Sequence, residues 1–472
     1  MPDMTQSTTN GDRPALHGRM RSDTNPNTSG TGRPHVVVIG AGFAGLDVAK
    51  ELTGTECDVT LVDRNNYHKF QPLLYEVAMA GLEPDDIAHN VRHIFQDSEN
   101  VTFRLGTVSG IDADAQLVQV RGSDPIPYDY LVMAAGAVSN DFGIPGVKEH
   151  GFPLKNVPDA VNLRNHVLRQ FERYDRDPGG AEMGALNFVI VGGGPTGVEM
   201  AGALVELFDT LNEDFQAFDT RKVGRCILLE MQEDLLPPYR SSLQKYTRNV
   251  LERRGVEVQT GAVVDRVSER DVMLKDGTRI PTQTLIWAAG VQASPVANYV
   301  DSEQARDGRL VVNDDLSVAD HPNVFAVGDM AAMRVENGDG FHPQLAQVAM
   351  QSGRHAAKQI LNRIRERETG SFSYTDLGQM ATIGRNAAVA ELPGGIAFKG
   401  FFAWVLWVFI HIAKIVGFRN RLSAFVNWGY NYFTYSRSAR LILDVVPIDD
   451  DIPLEVEEVD QKIREQLKEV SA

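Results

Sequence analysis

The chain has 472 residues, 43% apolar and 23% charged, with a formal net charge of −17 at pH 7. That length allows two or three domains with full cores, and the acidic balance speaks against nucleic acid as a partner. Cys57 and Cys226 are the only cysteines and form no C-x-x-C pair. A dithiol centre of that kind and a cysteine-rich metal site are therefore excluded, no metal is expected, and the expected compartment is reducing.

Residues 1–33 are rich in Thr, Ser, Asn, Gly and Pro and poor in large apolar residues, which predicts a disordered tail without a signal-peptide core. Residues 36–39 form a continuous β-branched run, the mark of a strand buried on both faces. Gly40-Ala41-Gly42-Phe43-Ala44-Gly45 then opens a helix over 46–52 in the pattern G-x-G-x-x-G. The first two glycines allow a tight turn and close approach to a pyrophosphate. The third lets the helix pack on the strand, and the helix N-terminus offers N–H groups to phosphate. A second strand over 58–62 ends in Asp63, at the offset of an acid that takes a ribose hydroxyl. Dinucleotide binding is the expectation.

The stretch 64–74 is polar with a proline and predicts a loop crossing an active site, a plain surface loop being the alternative. Strands follow at 101–105 and 117–120. Residues 129–136 read as a buried strand ending in Ala134, Ala135 and Gly136, small enough to let backbone approach a cofactor.

After a helix over 157–174, the device repeats. A strand over 188–191 leads into Gly192-Gly193-Gly194-Pro195-Thr196-Gly197, and a strand over 226–229 ends at Glu230. Residues 285–290, closing on Ala289 and Gly290, echo 131–136. The two first glycines lie 152 residues apart and the two closing glycines 154 apart, which means two similar units with one dinucleotide each. Glu230 is followed by Met231, Gln232, Glu233 and Asp234, with no base for a 2′-phosphate, so the second site favours NAD(H). Arg64 beside Asp63 blurs the same argument at the first.

Residues 321–329 form an apolar strand ending in Gly328-Asp329. Here the sequence resembles the two-dinucleotide flavoproteins of glutathione-reductase-like fold, an α/β class with two Rossmann-like domains. The resemblance implies that Asp329 binds the flavin's ribityl and pyrophosphate region, accepting a hydroxyl hydrogen bond. A helix over 343–361 carries Gln347 and Gln351 on one face. By spacing alone these are a solvated pair. The pattern Ala346-Gln347-x-Ala349-x-Gln351, however, resembles the quinone-site signature of type II NADH:quinone oxidoreductases, as do residues 70–78 and 380–384. That likeness spans roughly 34–443.

From residue 392 to 443 there is no Asp or Glu, while three of the four tryptophans lie there with many Phe and Tyr residues. Residues 401–418 predict an amphipathic helix lying in a membrane interface rather than spanning it. Trp404, Trp407, His411 and Lys414 form one stripe at its polar edge, and Phe401, Val405, Val408, Ile412 and Ile415 occupy another arc. A buried helix or dimer contact is the alternative.

The resemblance thus implies a non-proton-pumping NADH dehydrogenase on the cytoplasmic face of a cell membrane, passing two electrons from NADH through FAD to menaquinone or ubiquinone, and a homodimer. FAD would be held by Gly40, Ala41, Gly42, Phe43, Ala44, Gly45, Asp63, Arg64, Val108, Ala135, Gly136, Asp329, Ala346 and Lys399. NADH would be held by Gly192, Gly193, Gly194, Thr196, Gly197, Glu230, Ala289 and Gly290. The catalytic candidates are Glu199, Gln347 and Gln351. Glu199 reaches the flavin–nicotinamide junction or is a solvated first-turn acid, and Lys399 closes over the flavin or faces lipid. The expected domains are 34–152 with 296–391 for FAD, 153–295 for NADH, 392–443 for the membrane, and an acidic tail over 444–472. A soluble NADH-dependent reductase of a ferredoxin-like carrier and an NADH-binding sensor are the alternatives; sulfide–quinone chemistry fits less well, for want of cysteines near a flavin.

Overall fold

The computed structural model describes residues 32–179, 184–336, 338, 340–434 and 439–443. Most of the expected N-terminal tail and all of 444–472 lie outside the described residues. The described residues form two compact units, one of 32–66, 95–136 and 293–374, the other of 67–94, 137–292 and 375–443.

The first unit is built on a six-stranded sheet in the order Ser317–Val318, His321–Ala326, Tyr130–Met133, His35–Ile39, Asp58–Asp63, Val101–Leu105. All neighbours run parallel except the short edge strand Ser317–Val318. Every residue of His35–Ile39 is buried, as its apolar run requires of a central parallel strand. The helices Phe43–Glu51 and Ala346–Ile364 pack on each other through small residues. At Gly353 any Cβ would run into the Ala44 backbone.

The second unit repeats the plan with a parallel sheet in the order Gly151–Pro153, Thr284–Trp287, Asn187–Val191, Arg225–Glu230, Val256–Thr260. Its helix Pro195–Asp214 is covered by an antiparallel meander, Gln379–Gly384, Ala387–Leu392 and Ile396–Gly400. Gly202 makes that contact possible, because a Cβ there would meet the Ile383 carbonyl. The meander belongs with this unit, so residues 375–391, like 67–94 and 137–152, fall on the other side of the division from the one the sequence suggests.

Three further expectations are corrected. Residues 64–74 are not a plain loop. Tyr67–Lys69 pairs antiparallel with Ala88–Asn90, a 3-10 turn covers Gln71–Leu73, and a helix covers Leu74–Ala78. Phe70, Leu73, Leu74 and Tyr75 are buried, and this apolar set outweighs the polar residues and proline around it.

The aromatic segment is also two helices rather than one, Phe401–Lys414 and Phe418–Thr434. Between them Gly417 adopts φ +87° against the His89 ring, where a side chain would not fit. A polar seam pins the second helix: the Asn420 amide donates to the Asp85 carbonyl at 2.7 Å, and the Ser423 hydroxyl donates to the buried Asp86 carboxylate at 2.6 Å.

Of the stripe Trp404, Trp407, His411 and Lys414, Lys414 is exposed and Trp404 half-buried, while Trp407 and His411 pack inward rather than along a polar edge. Trp407 is 2% exposed and stacks on His411 at 4.1 Å, with Tyr75 and Trp428 against its ring. Burial pushes the His411 imidazole down to about 4, so it is neutral at pH 7 and behaves as an aromatic core residue. The solvent-facing arc is Phe401, Phe402, Val405 and Phe409, with Phe402 79% and Phe409 71% exposed. No helix among the described residues is long and apolar enough to cross a membrane.

Candidate functional site

The two glycine loops have the same geometry. Gly40 has φ +104° and Gly192 +112°, a region that only glycine enters freely. A Cβ at Gly40 would lie 2.9 Å from the Ala135 Cα, and one at Gly192 would lie 2.8 Å from the Ala289 Cα. Gly45 and Gly197 each face the carbonyl of the first glycine of their loop, with no room for a side chain. Gly42 and Gly194, by contrast, look into open space. They stand at the N-cap of their helices with no side-chain cap, and neither first turn holds an acid. A glycine N-cap offers the first-turn N–H groups no side chain of its own, and the cradle fits a pyrophosphate in each unit.

Each loop is braced by the acid that ends the next strand. Asp63 accepts from the Ala41 N–H at 2.7 Å and the Asn65 N–H at 2.7 Å. Glu230, 7% exposed, accepts from Gly193 at 2.5 Å and Gln232 at 2.8 Å. Such charge-assisted bonds contribute about 1.5–3 kcal/mol each. The acids expected to meet a ribose therefore also set the loops.

The surroundings of the two loops differ. In the first unit, the turn Gly328–Met330 meets the heads of both helices. Gly328, at φ +60°, donates its N–H to the Ser352 hydroxyl at 3.0 Å, and a Cβ there would lie 3.2 Å from Ala44 and 3.1 Å from Ala349. Asp329, Ala346, Gln347 and Gln351 are half-buried, and the Asp329 carbonyl accepts from the Gln344 amide at 3.1 Å. Gly136 has φ +71° and its carbonyl receives the Ser294 N–H at 2.9 Å. Ala135 is half-buried, Val108 is buried in a strand, and Arg64 is exposed.

In the second unit, Ala289 and Gly290 lie half-buried at the end of Thr284–Trp287, and Thr196 is exposed in the loop. Sequence reasoning missed two residues here. The Trp287 indole donates to the Asn140 carbonyl at 2.7 Å, and the Asn140 N–H donates to the Gly290 carbonyl at 3.1 Å. The Asn140 side chain in turn accepts the Phe142 N–H at 2.9 Å, and the Phe142 ring, 58% exposed and at φ +52°, lies over Gly290. No motif marks them, because they act from a connecting segment.

Glu199 is not a solvated first-turn acid. It is 9% exposed, and it accepts a long hydrogen bond, 3.4 Å, from the Thr382 N–H. Burial holds its carboxyl well above the usual range; the Thr382 N–H opposes this, the nearby Glu76 adds to it, and the Trp407 indole opposes it. Tyr75, with a buried hydroxyl lacking a well-aligned partner, completes the cluster. Lys399 is exposed, with its ammonium 5.4 Å from the Tyr246 ring centroid. No group of three or more His, Cys, Asp or Glu side chains suited to a metal occurs among the described residues.

Two glycine cradles of one geometry, one per α/β unit, are the frame of the pyridine nucleotide-disulphide oxidoreductase fold. Accordingly, residues 34–353 match the pyridine nucleotide-disulphide oxidoreductase family model, and residues 377–437 match the NDH2 C-terminal domain model. The chain is 39% identical over 429 residues to the type II NADH:quinone oxidoreductase NdhA of Mycobacterium tuberculosis, covering 87% of this chain and 90% of that one. It is 31% identical to the type II NADH:quinone oxidoreductase of Staphylococcus haemolyticus, over 77% of this chain and 90% of that one. The structure of NDH2 from Plasmodium falciparum in complex with NADH superposes with a TM-score of 0.79 at 19% identity, covering 87% of this chain and all of that one. The chain belongs to the type II NADH:quinone oxidoreductases.

Proposed function

We propose that this enzyme oxidises NADH at the second glycine loop and reduces a membrane quinone, with FAD resident at the first loop. The observation that carries the reading is the repeated cradle: two loops of one geometry, each with open space at its middle glycine and a helix N-terminus free of side-chain caps. NADH goes to the second because Glu230 and its acidic neighbours offer a ribose diol two acceptors and a 2′-phosphate only repulsion. FAD goes to the first because Gly328 and the head of Ala346–Ile364 crowd that loop with small residues and a second helix dipole. When bound, the flavin takes a hydride's two electrons and passes them on.

The protein's own residues supply position and proton affinity. The half-buried Gln347 and Gln351 share a helix face from which amides can hydrogen-bond quinone carbonyls. Glu199, kept protonated more readily than an exposed carboxyl, is suited to hold one of the two protons that a quinol needs. The outward arc of Phe401, Phe402, Val405 and Phe409 supports seating on a lipid surface, at the cytoplasmic face where NADH is present. The test is steady-state turnover of NADH against NADPH with a short-chain quinone on detergent-purified protein. NADH is expected to be favoured in kcat/KM by about tenfold or more, the cost of a repelled 2′-phosphate; equal use of both would overturn the assignment of Glu230.

A further inference from the structure

Between the strand Arg225–Glu230 and the helix Ser241–Arg253, residues 231–240 lie against the second glycine loop. The Leu236 N–H donates to the Gly193 carbonyl at 2.8 Å, while the Glu230 carboxylate takes the Gly193 N–H. The Leu235 side chain, 1% exposed, fills the place of a side chain at 193. A Cβ there would lie 2.6 Å from its Cδ2 and 2.9 Å from the Glu230 Cβ. The second loop therefore reads Gly-Gly-Gly where the first, with Ala41, reads Gly-Ala-Gly. Leu236 is fully buried at φ +53°, a left-handed conformation that a leucine keeps only where its surroundings impose it. Those surroundings are hydrogen bonds. The Tyr239 N–H donates to the Leu236 carbonyl at 2.9 Å, and the buried Gln244 amide donates to the Leu236 and Pro237 carbonyls at 3.3 Å each. Farther out, the Gln379 amide donates to the Pro238 carbonyl at 3.1 Å. The Arg240 guanidinium forks between the Glu391 carboxylate at 2.9 Å and the Gly395 carbonyl at 2.7 Å. In the first unit the chain passes to the other unit after Asn66, three residues beyond Asp63, too few for a segment of this kind.

We propose that residues 231–240 form a positioning strap for the dinucleotide pyrophosphate, with Gln244 the positioning residue that holds it. This rests on the reading that NADH occupies the second loop. The reason is the planarity of the peptide: across a trans bond the carbonyl and the N–H point in opposite directions. A Gly193 carbonyl held by Leu236 therefore turns the Gly194 N–H away from the strap, at the mouth of a loop whose Gly194 has open space beside it. An N–H already turned that way meets a phosphate oxygen without the cost of being ordered on binding. Gly194 cannot secure this alone, because glycine moves freely in both dihedrals. The bonds to the Gly193 N–H and carbonyl fix the two flanking peptides for it. Gln244 acts at one remove. Both groups facing its amide are carbonyl oxygens, so its nitrogen is the end that points at the strap. Without that donor, Leu236 relaxes from its left-handed backbone and its N–H loses its aim at Gly193.

The experiment is calorimetric titration of the full-length, flavin-loaded protein with ADP-ribose, which carries the pyrophosphate and cannot reduce the flavin, read beside the KM for NADH. Gln244→Met keeps the bulk and removes the donor. It should raise the ADP-ribose dissociation constant and the KM for NADH about fivefold, the worth of one hydrogen bond. The kcat, the KM for quinone and the flavin content should stay as in the parent. Leu243→Ala, which empties a buried apolar position on the same helix, should lower the melting temperature and leave the ADP-ribose constant in place. Arg240→Ala, at the far end of the strap, should raise that constant about twofold, and it decides the matter where Gln244→Met does not fold. An unmoved constant in Gln244→Met, or in Arg240→Ala if that variant must decide, would overturn the proposal, as would an equal rise in Leu243→Ala. Gly194→Ala tests the reading underneath. Its φ of −72° suits alanine and the methyl enters the open space, so ADP-ribose should bind about tenfold or more weakly. Unaltered binding there would sink the placement of NADH at the second loop; weakened binding there with Gln244→Met unmoved would sink the strap alone.

Discussion

The glycine loops at Gly40 and Gly192 are near copies in backbone, and their surroundings are not. Both have a first glycine at φ above +100°, a middle glycine facing open space, and a third closed against the first glycine's carbonyl. Both are held by a carboxylate that accepts two backbone N–H groups. What separates them is brought by distant residues. The first loop meets Gly328 and a helix that starts some 300 residues later, at Ala346. The second is flanked by Asn140, Phe142 and Gly290, and its helix carries a buried acid at Glu199. On the proposed reading, the loop makes a dinucleotide site and the neighbours decide which dinucleotide.

The sharpest way to break that comparison is to close each loop in turn. Gly45→Ala and Gly197→Ala each force a methyl onto a carbonyl that cannot retreat, at a cost of about 3 kcal/mol. Both variants should melt several degrees below the parent protein. Added NADH should raise the melting temperature of Gly45→Ala as it does the parent's, and leave that of Gly197→Ala unmoved. Stabilisation of both to the same extent would erase the functional distinction between the loops.

A smaller effect is read through pH. In the second unit burial pushes His166 and His411 from 6.5 down to about 4. The unfolded chain takes these protons near 6.5 and the folded chain only near 4, so the stability gained by keeping them neutral is full above about 6.5 and is lost as pH falls toward 4. For His411 that is at most about 3 kcal/mol. Unfolding by urea at pH 7 and pH 4.5 should show the loss, and His411→Phe should flatten it. A loss as steep in His411→Phe as in the parent would place the titration elsewhere.

The loops were legible in the sequence because their chemistry is local: strand, glycines, helix and acid fall within about thirty residues at the first and about forty-five at the second, and the glycine demand is steric. The same holds for Gly328-Asp329, whose strand is apolar to its end. The inward face of Phe401–Lys414 was not legible. Trp and His at helical spacing suit a membrane edge or a core equally, and the choice was made by Phe70 and Tyr75, more than 300 residues away in a segment whose polar residues suggest a loop. The burial of Glu199 was hidden likewise, since Thr382 and Trp407 cover it from another part of the chain.

The central claim is that the first loop keeps the flavin and the second takes NADH. It is tested most directly by bound flavin and NADH dissociation constants in Asp63→Ala and Glu230→Ala, each removing two backbone bonds from one loop. Glu230→Ala should retain its flavin in full while its NADH affinity falls by about tenfold or more, and Asp63→Ala should lose flavin. Loss of flavin from Glu230→Ala with NADH affinity unchanged would contradict the assignment.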